Sequence, residues 1–571
     1  MGKINEEVSY AKGRVRRIYD LGRYYGIGAV AGKVKRKLAR TFTKTDPENL
    51  PEVSYAVWKK NCLKDLKFKP KETLTFGVLI TDLPFSANRE AVEKLPVVKS
   101  LRAQTLKNYK LCRAERMEEV EADYVLLVHG CDRLELRFLA ALTAYITEKK
   151  DRPAAVYTDE DVWRSENGMI TYSEPCMKPD YSPDYQNGYN YIRRMTAVTK
   201  EIYLSVAEDM NCPPSEISTE FIFRVCEKAA AGTGVGHLAL PFYSMRENEY
   251  EIPMQDPDVV DAHLDRIGVI GTCALDENGF VDVQYPLLSE PLVSVIIPNK
   301  DHREDLKRTL ESCFAADYKN CEYIIVENNS EEPETFDYYE ELKKREDVKV
   351  RVTTWRGKGF NYSALNNHGA KKAEGEYLLL LNNDMEVINP DFMREMLRVV
   401  ERTGTGIVGA RLYYEDESIQ HAGVFVGYCG VADGNYRGLA ETPERLKETA
   451  VMHEVSAVTA ACLMIRRTAY LAMGGMDESF AVNFNDVDFC LRVGKRMQKI
   501  VYVPRATLYH FESKSRGQDV SHADMSRVYD EIENFTKHWH GFVAKGDPYY
   551  NANLTKNKVD HSLKEWRFDE V

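Results

Sequence analysis

The stretch GEYLLLLNNDMEV, from Gly375 to Val387, decides the fold class. Its five apolar residues, Tyr377 to Leu381, are too few to span a membrane, and they stop abruptly at Asn382, Asn383 and Asp384. A short buried run of this kind is typical of a parallel strand in an α/β sheet. Ligands gather at the carboxyl ends of such strands, so Asp384 is placed to hold a divalent cation against a phosphate. A simple turn explains Asn382, Asn383 and Asp384 at least as well, so other segments are needed to decide between a turn and a metal site.

Length and charge narrow the classes of protein. A chain of 571 residues is too long for one core and indicates roughly two to four domains. The net charge of −12 argues against nucleic-acid binding, which needs an excess of Lys and Arg. The 12 cysteines form no CxxC pair, which favours reduced thiols and a cytoplasmic location. No run of about 18 apolar residues is present, so we expect no membrane crossing.

The N-terminal arm has a different composition. Residues 11–41 carry ten Lys or Arg residues against the single Asp20. Two interpretations of this segment stay open. It could contact the anionic inner face of the cell membrane as a peripheral segment, or it could form a solvated or domain-packing helical arm.

Short apolar runs alternate with helical stretches twice, first from Thr73 and again from Leu292. This alternation predicts two α/β domains with mostly parallel, Rossmann-like sheets. The predicted organisation is a basic arm over 1–70, a first domain over 71–285, a second domain over 286–545 and a polar tail over 546–571.

The sequences of the two predicted α/β domains also resemble each other. Aligning Tyr124 on Tyr377 places Cys131 where the second half has Asp384, with Asp132 one residue later. A shift of one residue at a strand end changes where a side chain points. The first copy is therefore predicted to be degenerate and non-catalytic.

The second half resembles the family 2 glycosyltransferases of the GT-A fold, from Pro291 to about Gly517. The resemblance is carried by segments in the family's order, among them PLVSVIIPNKD from Pro291, LLLLNNDMEV from Leu378, NDVDFCLR from Asn485 and LYHFESKSRG from Leu508. The first half resembles the same family more faintly, through YTDED from Tyr157. The resemblance implies two GT-A domains in tandem and a role in bacterial surface-polysaccharide synthesis.

The resemblance also implies a reaction. A sugar would pass, with inversion, from a nucleoside diphosphate (UDP or dTDP) to a glycan or lipid-linked glycan. Asp384 and His510 would hold Mn²⁺ or Mg²⁺, and Asp486 would be the general base. A buried structural role for His510 and a helix-capping role for Asp486 are the alternatives.

Further site residues follow the same comparison, with turns and surface charges as the alternative explanation. Those expected to orient the site or face the acceptor are His421, Asp488 and Arg492. Those expected at the donor are Pro298, Asn299, Lys300, Glu327, Asn329, Arg356, Lys358, Asn361, Asn366, Asn382, Asn383 and Arg516.

A second hypothesis is a non-catalytic glycan-binding or scaffold protein made of decayed transferase domains. It describes the first half better than the second, which retains Asp384, Asp486 and His510. The sequence leaves the donor sugar and the linkage open, and a homo-oligomer is compatible with it.

Overall fold

The computed structural model describes residues 54–83, 88–194, 196–211, 217–247, 254–496, 498–512 and 522–565. The basic segment 11–41 and Arg516 lie outside these ranges, and so do the predictions made for them. The chain divides into two compact units, Met1–Asn61 and Cys62–Val571. The first described helix, α1, is Tyr55–Lys64, and both main sheets belong to the second unit.

The first sheet has the strand order β2-β1-β3-β7-β5-β8-β4, with β6 paired to β5. Its strands are β1 Phe76–Ile80, β2 Tyr109–Cys112, β3 Tyr124–Val128, β4 Arg133–Leu134, β5 Ala155–Glu166, β6 Met169–Cys176, β7 Ala197–Thr199 and β8 Val235–Arg246. The helices of this half are α2 Arg89–Lys94, α3 Pro96–Ala103, α4 Phe138–Glu148, α5 Pro183–Gly188, α6 Lys200–Asp209, α7 Thr219–Ala230 and α8 Pro257–Arg266. A hairpin of β9 Thr272–Leu275 and β10 Val281–Gln284 follows.

The second sheet has the order β13-β12-β11-β14-β21-β16-β22-β15, with β17 paired to β16 and β20 paired to β22. Its strands are β11 Val293–Asn299, β12 Cys321–Glu327, β13 Lys349–Thr354, β14 Tyr377–Leu381, β15 Met385–Val387, β16 Thr405–Tyr413, β17 Ile419–His421, β20 His453–Glu454, β21 Cys462–Arg466 and β22 Lys499–His510. The strands β18 Val424–Val426 and β19 Ala432–Gly434 form a separate pair. The helices are α9 Arg303–Ala315, α10 Pro333–Lys343, α11 Tyr362–Ala370, α12 Phe392–Val400, α13 Pro443–Thr449, α14 Arg467–Ala472, α15 Asn485–Gly494 and α16 His522–Lys545.

The two sheets share one topology. The order β2-β1-β3-β7-β5-β8-β4 corresponds to β12-β11-β14-β21-β16-β22-β15, and β6 on β5 corresponds to β17 on β16. Each neighbouring pair in the main path also runs in the same relative direction in both sheets. The predicted α/β fold class of the GT-A type is confirmed, although both sheets are mixed, and the tandem arrangement of two such domains stays a prediction. The domain boundaries stay a prediction.

Strand β14 is buried on both faces, as its continuous apolar run predicts. Tyr377, Leu379 and Leu381 pack into one core cluster, and Leu378 and Leu380 pack into the other. Successive strand residues point to opposite faces, so one five-residue strand joins both core layers. Each fully buried Leu contributes about 1.5–3 kcal/mol.

Within the described residues, none of the helices combines the length and the apolar character needed to cross a membrane.

A buried ion pair and a side-chain hydrogen bond join the first half to the second. Both carboxylate oxygens of Asp184 accept hydrogen bonds from Arg402, at 2.7 and 2.8 Å. Glu454 hydrogen-bonds the Ser182 side chain and pairs with the Lys499 Nζ at 2.8 Å. The Arg402 guanidinium holds the pKa of Asp184 well below its usual range, whereas burial raises the pKa of Glu454.

Candidate active site

The metal-ligand candidates meet at the carboxyl edge of β14. Residues Asn382 to Asp384 connect β14 to β15, and Met385 of β15 pairs with His510, the last residue of β22. The Asp384 Oδ1 lies 3.2 Å from the His510 Nε2, and both residues are buried. A carboxylate oxygen is a ligand that both Mn²⁺ and Mg²⁺ accept, and an imidazole nitrogen favours Mn²⁺ over Mg²⁺, so this pair is compatible with the predicted metal.

The other ring nitrogen of His510 contacts Gln420, a residue that sequence reasoning missed. The His510 Nδ1 lies 2.7 Å from the Gln420 Oε1, and the Gln420 Nε2 donates to the His510 carbonyl at 3.2 Å. The Asn382 Nδ2 lies 3.1 Å from the His510 Nε2. The only sequence signal for Gln420 was its place beside His421, a predicted site residue.

The base candidate Asp486 lies in the first turn of α15. Its carboxylate accepts hydrogen bonds from the backbone N–H of Ala460 at 3.1 Å and of Val487 at 2.8 Å. Burial raises the pKa of the Asp486 carboxyl. Asp486 is not the N-cap, because Phe484 takes that position.

The segment from Thr459 to Ala461 connects Asp486 to the metal-ligand candidates. While Ala460 donates to Asp486, the carbonyl of Ala461 accepts from the Asn382 N–H at 3.0 Å. The three key side chains therefore lie along one edge of the second sheet.

His421 supports this segment from within the core. Its Nδ1 lies 2.8 Å from the Ala410 carbonyl, and its Nε2 accepts a hydrogen bond from the Thr459 N–H at 3.1 Å. Burial lowers the pKa of His421 to about 4, which keeps the ring neutral. Of the two roles expected for it, this placement favours orienting the site over facing the acceptor.

Asp488 and Arg492 form the pair expected from their spacing on α15. The Arg492 Nε lies 2.7 Å from the Asp488 Oδ2, and the Trp539 Nε1 donates to the other carboxylate oxygen at 2.9 Å. Arg492 also donates to the carbonyls of Met473 and Gly475. The pair ties α15 to its neighbours.

A polar network lines the ends of β11 and β12. The Asn383 Nδ2 donates to the Asn299 Oδ1 at 2.7 Å, and the Asn299 Nδ2 donates to the Tyr339 hydroxyl at 2.8 Å. That hydroxyl donates to Glu327 at 2.7 Å, and Ser330 donates to the same carboxylate from its N–H and its Oγ. Glu327 therefore stabilises this edge of the sheet through its hydrogen bonds with Tyr339 and Ser330.

The other donor candidates lie in different surroundings. Pro298 is buried in β11. Asn329 has a positive φ of 55° and donates to the Asn328 side chain and the Gly357 carbonyl, as the turn explanation predicts. Lys300 lies 3.7 Å from Glu331, and Arg356 and Lys358 are exposed.

Asn361 and Asn366, two of the residues predicted at the donor, lie at the start of α11 and within it. Asn361 is the N-cap: its Oδ1 accepts from the Ala364 N–H, and its Nδ2 donates to the Glu478 carbonyl. Asn366 is fully buried, and its Nδ2 donates to the Tyr362 carbonyl. Asn366 is thus shielded from solvent, and contact of either residue with sugar or ribose hydroxyls stays a prediction.

The strand register corrects the alignment of the two halves. In the first sheet Arg133 of β4 pairs with Ser244 of β8, as Met385 pairs with His510 in the second. Asp132 therefore takes the place of Asp384, and Ser244 takes the place of His510, because the first half has one extra residue before β4. Asp132 is buried and accepts from the Tyr243 hydroxyl at 2.7 Å. Burial raises the pKa of Asp132 to about 6.

A second group of potential metal-ligating side chains lies near this edge of the first sheet. Ligand atoms of Asp82, His129 and Cys131 lie within 4.8 Å of one another. However, the Arg194 Nη1 lies 3.1 Å from the His129 Nε2. A fixed cation at this distance opposes a metal ion there.

Residues 294–472 match the family described as glycosyl transferase family 2. The second half contains a family 2 glycosyltransferase domain. The chain is 32% identical over 499 residues to the O-antigen biosynthesis protein RfbC of Myxococcus xanthus, which covers 83% of this chain and 37% of the relative. It is also 32% identical over 473 residues to the uncharacterized protein y4gI of Sinorhizobium fredii, covering 79% of this chain and 50% of that protein. The chain thus spans half or less of the length of these two relatives.

Among solved structures, a crystal structure of GalNAc-T7 with UDP, GalNAc and Mn²⁺ is similar to this chain. The sequence identity is 16% and the TM-score is 0.36, and the match covers 44% of this chain and 50% of the other.

Proposed function

We propose that this protein is an inverting, metal-dependent glycosyltransferase that adds a sugar from a nucleoside diphosphate sugar to a growing surface polysaccharide, with a lipid-linked glycan as acceptor. The observation that carries the proposal is the 3.2 Å approach of Asp384 and His510 at the edge where Asp486 is also held. The family 2 domain and the O-antigen biosynthesis relative support it.

Asp486 would remove the proton of the acceptor hydroxyl. As that oxygen bonds to the anomeric carbon, the bond from this carbon to the diphosphate breaks and the proton passes to Asp486. A carboxylate whose pKa is raised by burial is a better base near neutral pH than an exposed one. The backbone N–H groups of Ala460 and Val487 hold it in place while it accepts the proton.

Asp384 and His510 would hold the metal ion. When bound, a divalent cation neutralises the charge of the leaving diphosphate. Asn383 and Asn299, joined by a 2.7 Å hydrogen bond, would border the nucleotide. Glu327 acts through Tyr339, whose hydroxyl bridges Glu327 and Asn299.

The first half is proposed to be non-catalytic. At its corresponding edge Ser244 stands in the register of His510, and the Asp132 carboxylate is already bonded to Tyr243 and to the Arg246 N–H. The buried pair of Asp184 with Arg402 and the hydrogen bond between Ser182 and Glu454 support a structural role for this half. A cytoplasmic location and membrane contact through residues 11–41 remain sequence predictions.

The test is a turnover assay on the intact protein with UDP- and dTDP-sugars and Mn²⁺ or Mg²⁺. Asp384→Asn and Asp486→Asn should each abolish most donor hydrolysis and transfer. Asp132→Asn is the matched control in the first half and should retain turnover. A folded wild-type protein that is inactive with every donor would favour the non-catalytic scaffold. Equal loss in Asp132→Asn and Asp384→Asn would refute the division of roles between the halves.

A further inference from the structure

Gln420 forms two hydrogen bonds with a single residue, His510. It is buried in the short strand β17, 90 residues before that histidine. Its side chain meets the His510 ring at Nδ1, at 2.7 Å, and the His510 backbone carbonyl, at 3.2 Å.

The backbone contact fixes the orientation of the glutamine amide. A carbonyl oxygen only accepts hydrogen bonds, so the amide end that faces it must be the NH₂ group. The Glu512 Oε2, 3.5 Å from the same nitrogen, is also an acceptor and favours the same orientation. The amide oxygen must then face the His510 Nδ1.

The orientation of the amide in turn fixes the tautomer of the histidine. Because the Gln420 Oε1 can only accept, the His510 Nδ1 must carry the proton. In the neutral ring the lone pair is then on Nε2, the atom that faces Asp384 at 3.2 Å. Asn382 does not decide the tautomer, because its amide is free to present either end to Nε2.

We propose that Gln420 is a positioning residue that holds His510 with a proton on Nδ1 and so presents Nε2 as a metal ligand. The proposal rests on the metal site of the proposed function. Gln420 acts through His510.

The neighbouring residue gives the same strand a second role. His421 accepts the Thr459 N–H and so supports the segment that holds Asp486. Two adjacent residues of β17 thereby organise the metal ligand and the base from opposite faces of one strand.

The test measures Mn²⁺ affinity of the intact protein by electron paramagnetic resonance, without donor or turnover. Outer partners of a metal-ligating histidine typically contribute 10–100-fold to affinity, so Gln420→Leu should weaken Mn²⁺ binding by about that factor. Gln420→Glu keeps an acceptor for the Nδ1 proton and should bind Mn²⁺ more tightly than Gln420→Leu. The matched control is Gln104→Leu, because Gln104 is also a buried glutamine and bridges the Glu135 carbonyl and the Leu139 N–H in the first half. Thermal unfolding would verify that each variant is folded.

Nitrogen-15 NMR of labelled histidine provides a second readout. The His510 signal, assigned by its loss in His510→Gln, should show a protonated Nδ1 in the wild type and a mixture of tautomers in Gln420→Leu. Wild-type Mn²⁺ affinity in a folded Gln420→Leu, or equal weakening in Gln104→Leu, would overturn the proposal. If Asp384→Asn also binds Mn²⁺ as the wild type does, the metal site itself is wrong. If Asp384→Asn alone loses Mn²⁺, only the role of Gln420 fails.

Discussion

Asp184→Ala should strongly destabilise the protein although Asp184 lies outside the candidate active site. Its carboxylate accepts two hydrogen bonds from Arg402, at 2.7 and 2.8 Å, with side-chain exposures of 4% for Asp184 and 16% for Arg402. Removing one partner leaves a buried guanidinium without its counter-charge. We expect a loss of about 3–5 kcal/mol in the free energy of unfolding.

A double-mutant cycle isolates the pair. Arg402→Met removes the charge and keeps an apolar side chain of similar length, so Asp184→Ala/Arg402→Met should be more stable than Asp184→Ala alone. The assay is urea unfolding followed by tryptophan fluorescence. Single effects that add within about 0.5 kcal/mol would refute the coupling.

The pH dependence has a defined sign. The folded-state pKa of Asp184 lies below its unfolded value because of Arg402, so the pair stabilises the fold above about pH 4. This stabilisation is lost as the pH falls from the unfolded pKa through the folded one. The difference in stability between the wild type and Asp184→Ala should therefore be constant from neutral pH down to about pH 5 and shrink below about pH 4.

Two further predictions concern the second sheet. Asp486→Asn should lower kcat by about 10²–10⁴. The wild-type rate should fall on acidification through the raised pKa of the Asp486 carboxyl, because only the ionised form accepts a proton. A pH-rate profile whose rate does not fall at acidic pH would contradict this role. Gly375→Ala should lower the melting temperature, because a Cβ there would lie 2.6 Å from the Ser294 backbone nitrogen, whereas Gly494→Ala on α15 meets no atom within 4 Å and should be neutral or stabilising. Equal thermal shifts in the two alanine variants would contradict the packing argument.

The sequence predicted the features that local pattern controls. The strand Tyr377–Leu381, the position of Asp384 at its end and the pairing of Asp488 with Arg492 follow from periodicity and helical spacing. The proximity of Asp384 to His510 was instead predicted from the family resemblance. Local pattern could not predict it, because residues so far apart in sequence meet only through the register of β15 and β22.

The features that were missed depend on long-range geometry. The equivalence of Asp132 with Asp384 needs the pairing of β4 with β8, since an alignment without gaps assigns Cys131 to that place. Gln420 needs its contact with His510, and no local pattern encodes it. The N-cap role of Asn361, in contrast, could have been predicted, because an Asn before the helix that begins at Tyr362 is a recognisable N-cap signal.

The most direct measurement of the central claim is anomalous diffraction from crystals of the wild-type protein grown with Mn²⁺ and UDP. The account predicts a manganese peak about 2.1 Å from an Asp384 carboxylate oxygen and from the His510 Nε2, with the diphosphate on the same ion. A peak beside Asp82, His129 and Cys131, or no peak at the edge of β14, would contradict it.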